Sequence, residues 1–408
     1  MRVLVSGASV AGPVVAYWLS RKGFDVTVVE RAPALRKAGG HAVDLFKPAM
    51  AIAEKMGILD DIEAKATGTD VIEAYREGRN RPHVIEVGRL MSAVSDRHVE
   101  IMRDDLSQIL YDAGRDTVDY RFGESITEIA TDDNGVYVAF ERSSSQRFDL
   151  VIGADGLHSN VRRLVFGPES DYATWIGAYL AVASVPNYLD LHDRMVVTYG
   201  VDRMAGLYSA AQMADARAVF LFRPPRQIDY DYRDVAAQKR FLREAFEGLG
   251  PRVTRLLDEA DRSASFYLDS ITQLQMPGWS RGRVSLVGDA GYCPGPAVGG
   301  STSLAVVGAY VLAGELAIAN GDHSRAFAAY EQAMADYVTR SRAFAVGAAK
   351  RLLPANRSGV WAVIGAGLLV SHLPVFVTRA LTKVTPRTVR LHDSVVVKDY
   401  PSDSALSR

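Results

Sequence analysis

Cysteine is almost missing from this chain. Cys293 stands alone among 408 residues, which excludes internal disulfides and most cysteine-built metal sites; it reads as a small packing residue. Net charge is nearly missing too. The 47 Lys and Arg offset 48 Asp and Glu to a formal charge of -1, so no basic footprint for nucleic acid is present. The eight histidines have no metal-ligand spacing, and no Gly-x-Ser-x-Gly elbow occurs, which removes metalloenzyme and hydrolase chemistry. The start lacks the charged and apolar regions of a secretory leader, so a cytoplasmic protein is expected. Repeats, low-complexity tracts and long linkers are absent. Long apolar runs are scarce as well, with one exception at 359–377, nearly charge-free and just long enough to span a bilayer. Ser371, His372 and Pro374 interrupt it, and Arg351, Arg357, Arg379 and Lys383 flank it on both sides. A C-terminal helix packed on the protein near the substrate entrance is the preferred reading, with membrane contact the lesser alternative.

What the chain does have is glycine at three telling places. The first follows Arg2-Val3-Leu4-Val5-Ser6, a β-branched run typical of a buried parallel strand. Gly7-Ala8-Ser9-Val10-Ala11-Gly12 then makes a turn, Val14, Val15, Trp18 and Leu19 recur at helical spacing, and Gly23 can end the helix. A second strand, Val26 to Glu30, closes on an acid roughly 20 residues after the turn, which is the dinucleotide-binding arrangement. Gly7 and Gly12 permit the tight turn, and free N–H groups around Ser9, Val10 and Ala11 can meet a pyrophosphate. Glu30, beside Arg31, can accept from a ribose hydroxyl. Ser9 stands where a glycine is usual, and its hydroxyl can donate to phosphate.

The second place is Asp149-Leu150-Val151-Ile152-Gly153-Ala154-Asp155-Gly156, running on through His158 to Arg162. The third is Gly282-Arg283-Val284-Ser285-Leu286-Val287-Gly288-Asp289, leading to Pro294-Gly295-Pro296-Ala297-Val298-Gly299-Gly300-Ser301. These segments resemble the DG and GD motifs and the flavin loop of the class A flavoprotein monooxygenases, the para-hydroxybenzoate hydroxylase family that includes tetracycline and rifamycin monooxygenases. The resemblance covers residues 1 to about 320. It implies FAD as cofactor, Asp155 in its binding segment, and Asp289 at the ribityl and pyrophosphate region. It also implies Arg103 as a cofactor contact, and Pro296, Gly299, Gly300 and Ser301 beside the flavin ring, with His41 in a nearby loop. If Ser301 opens a helix, its N-terminus faces partial positive charge towards reduced flavin. The chain departs from the family pattern in places: Gly291 and Tyr292 follow Gly-Asp-Ala where an alanine and a histidine are usual, the loop reads Gly299-Gly300-Ser301 where Gly-Gln-Gly is common, and Gly308 stands where aspartate is frequent.

The expected fold is α/β, a Rossmann-type FAD-binding domain (1–68, 99–171 and 278–350) with an inserted, mainly antiparallel-sheet substrate domain (69–98 and 172–277). Residues 351–408 form a C-terminal helical segment. Strand-like runs at 177–185, 195–200, 204–210 and 216–222 build the inserted sheet, followed by helical patterns at 235–249 and 253–258. Phe220 and Phe222 share one face of their strand and Val219, Leu221 and Arg223 the other, but periodicity does not say which face meets the substrate. The family implies NAD(P)H as a transient reductant, O2, and hydroxylation of an aromatic or polycyclic small molecule through a flavin C4a-hydroperoxide, antibiotic inactivation included. Two alternatives keep the flavin. One is a reductase or dehydrogenase of a lipid-like substrate, and the other a non-enzymatic FAD-binding chaperone of a pathway intermediate.

Overall fold

The computed structural model describes residues 1–35, 40–86, 95, 97–210, 212–231, 233–295, 300–372, 391 and 395–400. A six-stranded sheet runs in the order Ser280–Arg281, Val284–Leu286, Leu150–Gly153, Arg2–Ser6, Asp25–Glu30, Asp119–Phe122. Every neighbouring pair is parallel except the first. Val3, Leu4 and Val5 are wholly buried, because a central parallel sheet of this kind is covered on both faces and leaves no polar side. The strand order brings the ends of Arg2–Ser6, Leu150–Gly153 and Val284–Leu286 together, so the three glycine segments that follow them converge. The helix after the first turn spans Ala11–Arg21, and Gly23 takes the left-handed conformation expected at its end (φ 81°).

Helix Ser301–Ile318 lies against this layer. It is apolar all round, long enough to cross a membrane, and 83% buried inside the protein; that is the pattern of a central core helix. Among the described residues no other helix is long and apolar enough to cross a membrane.

The second large sheet has seven strands, ordered Phe266–Leu274, Ala173–Val185, Ala216–Phe222, Arg203–Ser209, Arg194–Gly200, Val71–Arg76, His83–Glu86. All pairs are antiparallel except Arg194–Gly200 with Val71–Arg76. Strand alternation gives it two apolar faces. On the outer face Tyr179, Phe220 and Phe222 pack against Leu242, Phe246 and Leu256 of helices Val235–Ala245 and Pro251–Arg262. Phe220 and Phe222 are therefore core residues, with Phe246 edge-on to both at 5.3 and 5.6 Å. The inner face carries Leu180, Val182, Val197, Leu221 and Ile271, and meets Ala345 and Ala349 of the long helix His323–Leu352.

The apolar C-terminal run is helical over Arg357–His372, and residues 373–377 lie outside the described residues. Val360 and Ile364 join the inner-face cluster. Ser371 Oγ accepts from Glu86 N at 2.9 Å, and Arg76 stacks over Trp361 at 3.4 Å. Trp361 and Leu369 remain exposed.

Candidate cofactor and active site

The first turn is built by close backbone packing. Gly7 has φ 106°, and a Cβ there would run into the Ala154 carbonyl of the DG segment. A Cβ on Gly12 would collide with the Gly7 carbonyl oxygen. No side chain caps helix Ala11–Arg21 at Val10, so its first N–H groups keep their donor capacity for an anion. Glu30 reaches back to this turn, accepting from Ala8 N at 3.0 Å and from Ala32 N at 2.9 Å. Arg31 is exposed beside it.

Arg103 comes to the same place from a distant part of the chain. It opens helix Arg103–Gly114, and its Nη2 donates to Ser9 Oγ at 3.0 Å. Its backbone N–H donates to the His41 carbonyl at 3.2 Å, so the residues around His41 are fixed to the start of that helix. Burial, then the Arg103 charge, push His41 down to about 4, and the imidazole is neutral at ordinary pH.

Gly288 fits where three segments meet. With φ 67°, a Cβ on it would lie 3.2 Å from both Ala11 and Ala305. Asp289 follows, half-buried, its pKa raised by burial against the opposing pull of Arg103 and of a hydrogen bond with Cys293. Gly300 holds a left-handed conformation (φ 89°), and Ser301 begins its helix with no side-chain cap. Pro296 and Gly299 lie outside the described residues.

Asp155 uses its carboxylate locally. It accepts from Ser159 Oγ, from Asn160 N at 2.8 Å and from Val161 N at 3.0 Å, and so shapes the turn into helix Asn160–Val165. Arg162, 1% exposed, ties that helix to the GD segment through Nη1 and the Ala290 carbonyl at 2.9 Å, and binds Glu169 at 2.7 Å. The sequence showed Arg162 only as the end of a motif; its fixed spacing after Asp155 was the available signal.

Strands Ala42–Phe46 and His98–Met102 form a two-stranded ladder beside the site, with Asp44 directly opposite Glu100. Burial first, and then Glu100, push Asp44 up to about 7. Thr67 Oγ1 and Thr69 Oγ1 donate to Glu100. Nothing in the motifs pointed to this pair, because only ladder register brings it together. The inner face of the seven-stranded sheet reaches the same region: Tyr208 Oη accepts from Ala42 N at 2.9 Å, and Arg217 Nε donates to the Gly40 carbonyl at 3.1 Å. His158, in the DG segment, bonds Asp269 at 3.0 Å and Glu169 at 3.1 Å.

Uncapped N–H groups, a glycine cradle that any Cβ would fill, and the acids and arginine around it fit an extended flavin dinucleotide. Two surface clefts, about 630 Å³ at Arg81–Glu86 and about 540 Å³ at the far end of helix Ala11–Arg21, lie away from this convergence. Among the described residues no His, Cys, Asp and Glu cluster could hold a metal.

The chain belongs to the FAD-binding domain family, whose model matches residues 1–349, and it is an FAD-dependent monooxygenase. It is 39% identical over 355 residues to a flavin-dependent monooxygenase of Legionella longbeachae, covering 86% of this chain and 90% of that protein. An uncharacterised protein of Mycobacterium tuberculosis is 43% identical over 343 residues, covering 83% and 91%. Among solved structures, the tetracycline destructase Tet(51) superposes with a TM-score of 0.82 at 34% identity, covering 98% of this chain and 99% of that one. FAD is the cofactor, NAD(P)H is the reductant typical of the family, and the substrate is a small molecule.

Proposed function

We propose that this enzyme hydroxylates an aromatic or polycyclic small molecule, with tetracyclines the first class to test. The observation that carries the reading is the likeness to tetracycline destructase Tet(51) along nearly the whole chain. The contacts of Tyr208 and Arg217, on the inner face of the seven-stranded sheet, with Ala42 and Gly40 support it. The reaction balances as substrate C–H, O2, NAD(P)H and a proton giving C–OH, water and NAD(P)+. Bound FAD supplies the two-electron relay from NAD(P)H and the activation of O2.

The chain's own residues bind, orient and exclude water. In this reading Ser9, Val10, Ala11 and Gly12 offer N–H and hydroxyl donors to the pyrophosphate, with Arg103 adding charge, while Glu30 and Arg31 meet the adenosine ribose. Asp289 takes the ribityl chain, and Gly300 and Ser301 set a helix N-terminus beside the flavin ring. His41, neutral, borders the ring without competing for its negative charge. Residues 1–68, 99–171 and 278–350 then serve as the FAD-binding part, 69–98 and 172–277 as the substrate part, and helix Arg357–His372 as cover on the inner face.

The test is incubation of the FAD-loaded enzyme with a tetracycline, NADPH and O2. NADPH oxidation stimulated by the drug, with a product heavier by one oxygen atom, is the expected result. Stimulated oxidation that yields only H2O2 would sink the substrate assignment.

A further inference from the structure

Helix His323–Leu352 carries an arginine, Arg342, with two buried side-chain nitrogens that have no hydrogen-bond partner among the described residues. Gln273 Nε2 donates to the Pro294 carbonyl at 2.9 Å and to the Arg342 carbonyl at 2.8 Å. One amide thus fastens the helical turn bearing Arg342 to the segment that leads into 296–301. Arg342, Ala345 and Ala349 follow at i, i+3 and i+7 and share a helix face. Ala345 and Ala349 are 0% and 2% exposed and pack on the inner sheet face with Leu180, Val182 and Ile271. Arg342 therefore stands where the inner face, the long helix and the flavin-loop segment meet.

Its Nε and Nη2 are buried, and neither has a hydrogen-bond partner among the described residues. The adjacent Ser341 Oγ is buried and unpartnered as well. The buried acids of strand Phe266–Leu274 and of the GD segment have partners of their own. Asp269 accepts from Tyr230 at 3.1 Å and from Tyr267 at 3.0 Å besides its bond to His158. Asp289 is bonded to Cys293, whose thiol is held neutral by burial. A desolvated guanidinium without an acceptor is costly, and in low dielectric its attraction for an anion grows. Burial lowers the Arg342 pKa, against a smaller opposing pull from Cys293.

We propose that Arg342 is the specificity-determining residue of the substrate pocket, receiving an anionic oxygen, carboxylate or enolate, on an otherwise apolar planar substrate. The planar, fixed fork of donors suits such an oxygen pair. The proposal deepens the polycyclic reading above and rests on it for the shape of the ligand, but not for tetracycline itself.

The experiment uses the FAD-loaded enzyme with 2-naphthoate and 2-naphthamide, a matched anionic and neutral pair, followed by the visible absorbance of bound flavin. Wild type binds the carboxylate about tenfold or more tightly than the amide, and Arg342→Met loses that preference. Arg342→Lys keeps the charge without the fork; it retains the preference at lower affinity, and it stands in if the Met variant does not retain FAD. No preference in wild type, an undiminished one in Arg342→Met, or unchanged 2-naphthoate affinity in Arg342→Lys overturns the proposal. Where a tetracycline is turned over, the Met variant raises its KM with little loss of kcat. A wild type that prefers 2-naphthoate yet leaves tetracyclines untouched counts against the tetracycline reading alone.

Discussion

Asp44 is a half-buried carboxylate facing a second carboxylate, Glu100, across a two-stranded ladder. Its backbone carbonyl accepts from Ser303 Oγ at 3.3 Å, which sets it beside the first turn of the helix that begins at Ser301. Burial first, then Glu100, raise its pKa to about 7 from the ordinary 3.8, so the folded protein holds this proton more tightly than the unfolded chain does. By linkage, the resulting stabilisation is complete below the ordinary carboxylate range and is lost as pH rises to about 7. Melting temperatures of wild type should therefore decline from pH 4 to 7 more steeply than those of Asp44→Asn. Parallel curves for the two proteins would mean that Asp44 titrates as an ordinary surface acid.

At the scale of elements, two of the departures from the family pattern, Tyr292 and Gly308, belong together. Tyr330 Oη donates to the Leu286 carbonyl at 3.0 Å and lies 3.0 Å from Tyr292 Oη. The Tyr292 hydroxyl occupies the space over Gly308, where any Cβ would collide with it. A large residue after Gly-Asp-Ala-Gly thus requires the small one in the next helix, and neither makes sense alone. Gly308→Ala should destabilise the protein by about 1–3 kcal/mol through overpacking. In a Tyr292→Phe background, without the hydroxyl, the same change should cost clearly less. Strictly additive effects in that double-mutant cycle would break the pairing.

This pair marks what the sequence could and could not reveal. Each flavin motif is a strand, a glycine turn and a helix in local register, so the elements of the FAD framework were legible in the sequence. The coupling of Tyr292 to Gly308 was visible only as two separate irregularities, because it depends on how two elements cross. The two faces of the seven-stranded sheet followed from alternation, but which one holds Phe220 and Phe222 against helices did not. The Asp44–Glu100 pair and the buried Arg342 nitrogens without a partner among the described residues arise from long-range placement that no spacing records.

At the scale of the whole molecule, a small set of polar joints fixes the seven-stranded sheet to the flavin framework. Tyr208 with Ala42, Arg217 with Gly40 and Gln273 with Pro294 are three of them. Another is charged: His158 lies between Asp269, which is 3% exposed, and Glu169. Burial alone would lower His158, but its hydrogen bonds to Asp269 and Glu169 prevail and lift it from 6.5 to about 10. A histidine raised in this way stabilises the fold fully below 6.5, and that contribution fades as pH climbs to about 10. The imidazolium joins the DG segment to strand Phe266–Leu274, so its loss should loosen the sheet over the flavin as well as lower stability. Wild-type melting temperature should fall between pH 6.5 and 10, while His158→Gln begins lower and changes less over the same range. Coupling of NADPH oxidation to oxygenated product should follow the same course, with H2O2 rising as the joint weakens and water reaches the flavin. Equal pH dependence of melting in both proteins, or coupling that stays constant while melting falls, would confine His158 to an ordinary surface ion pair.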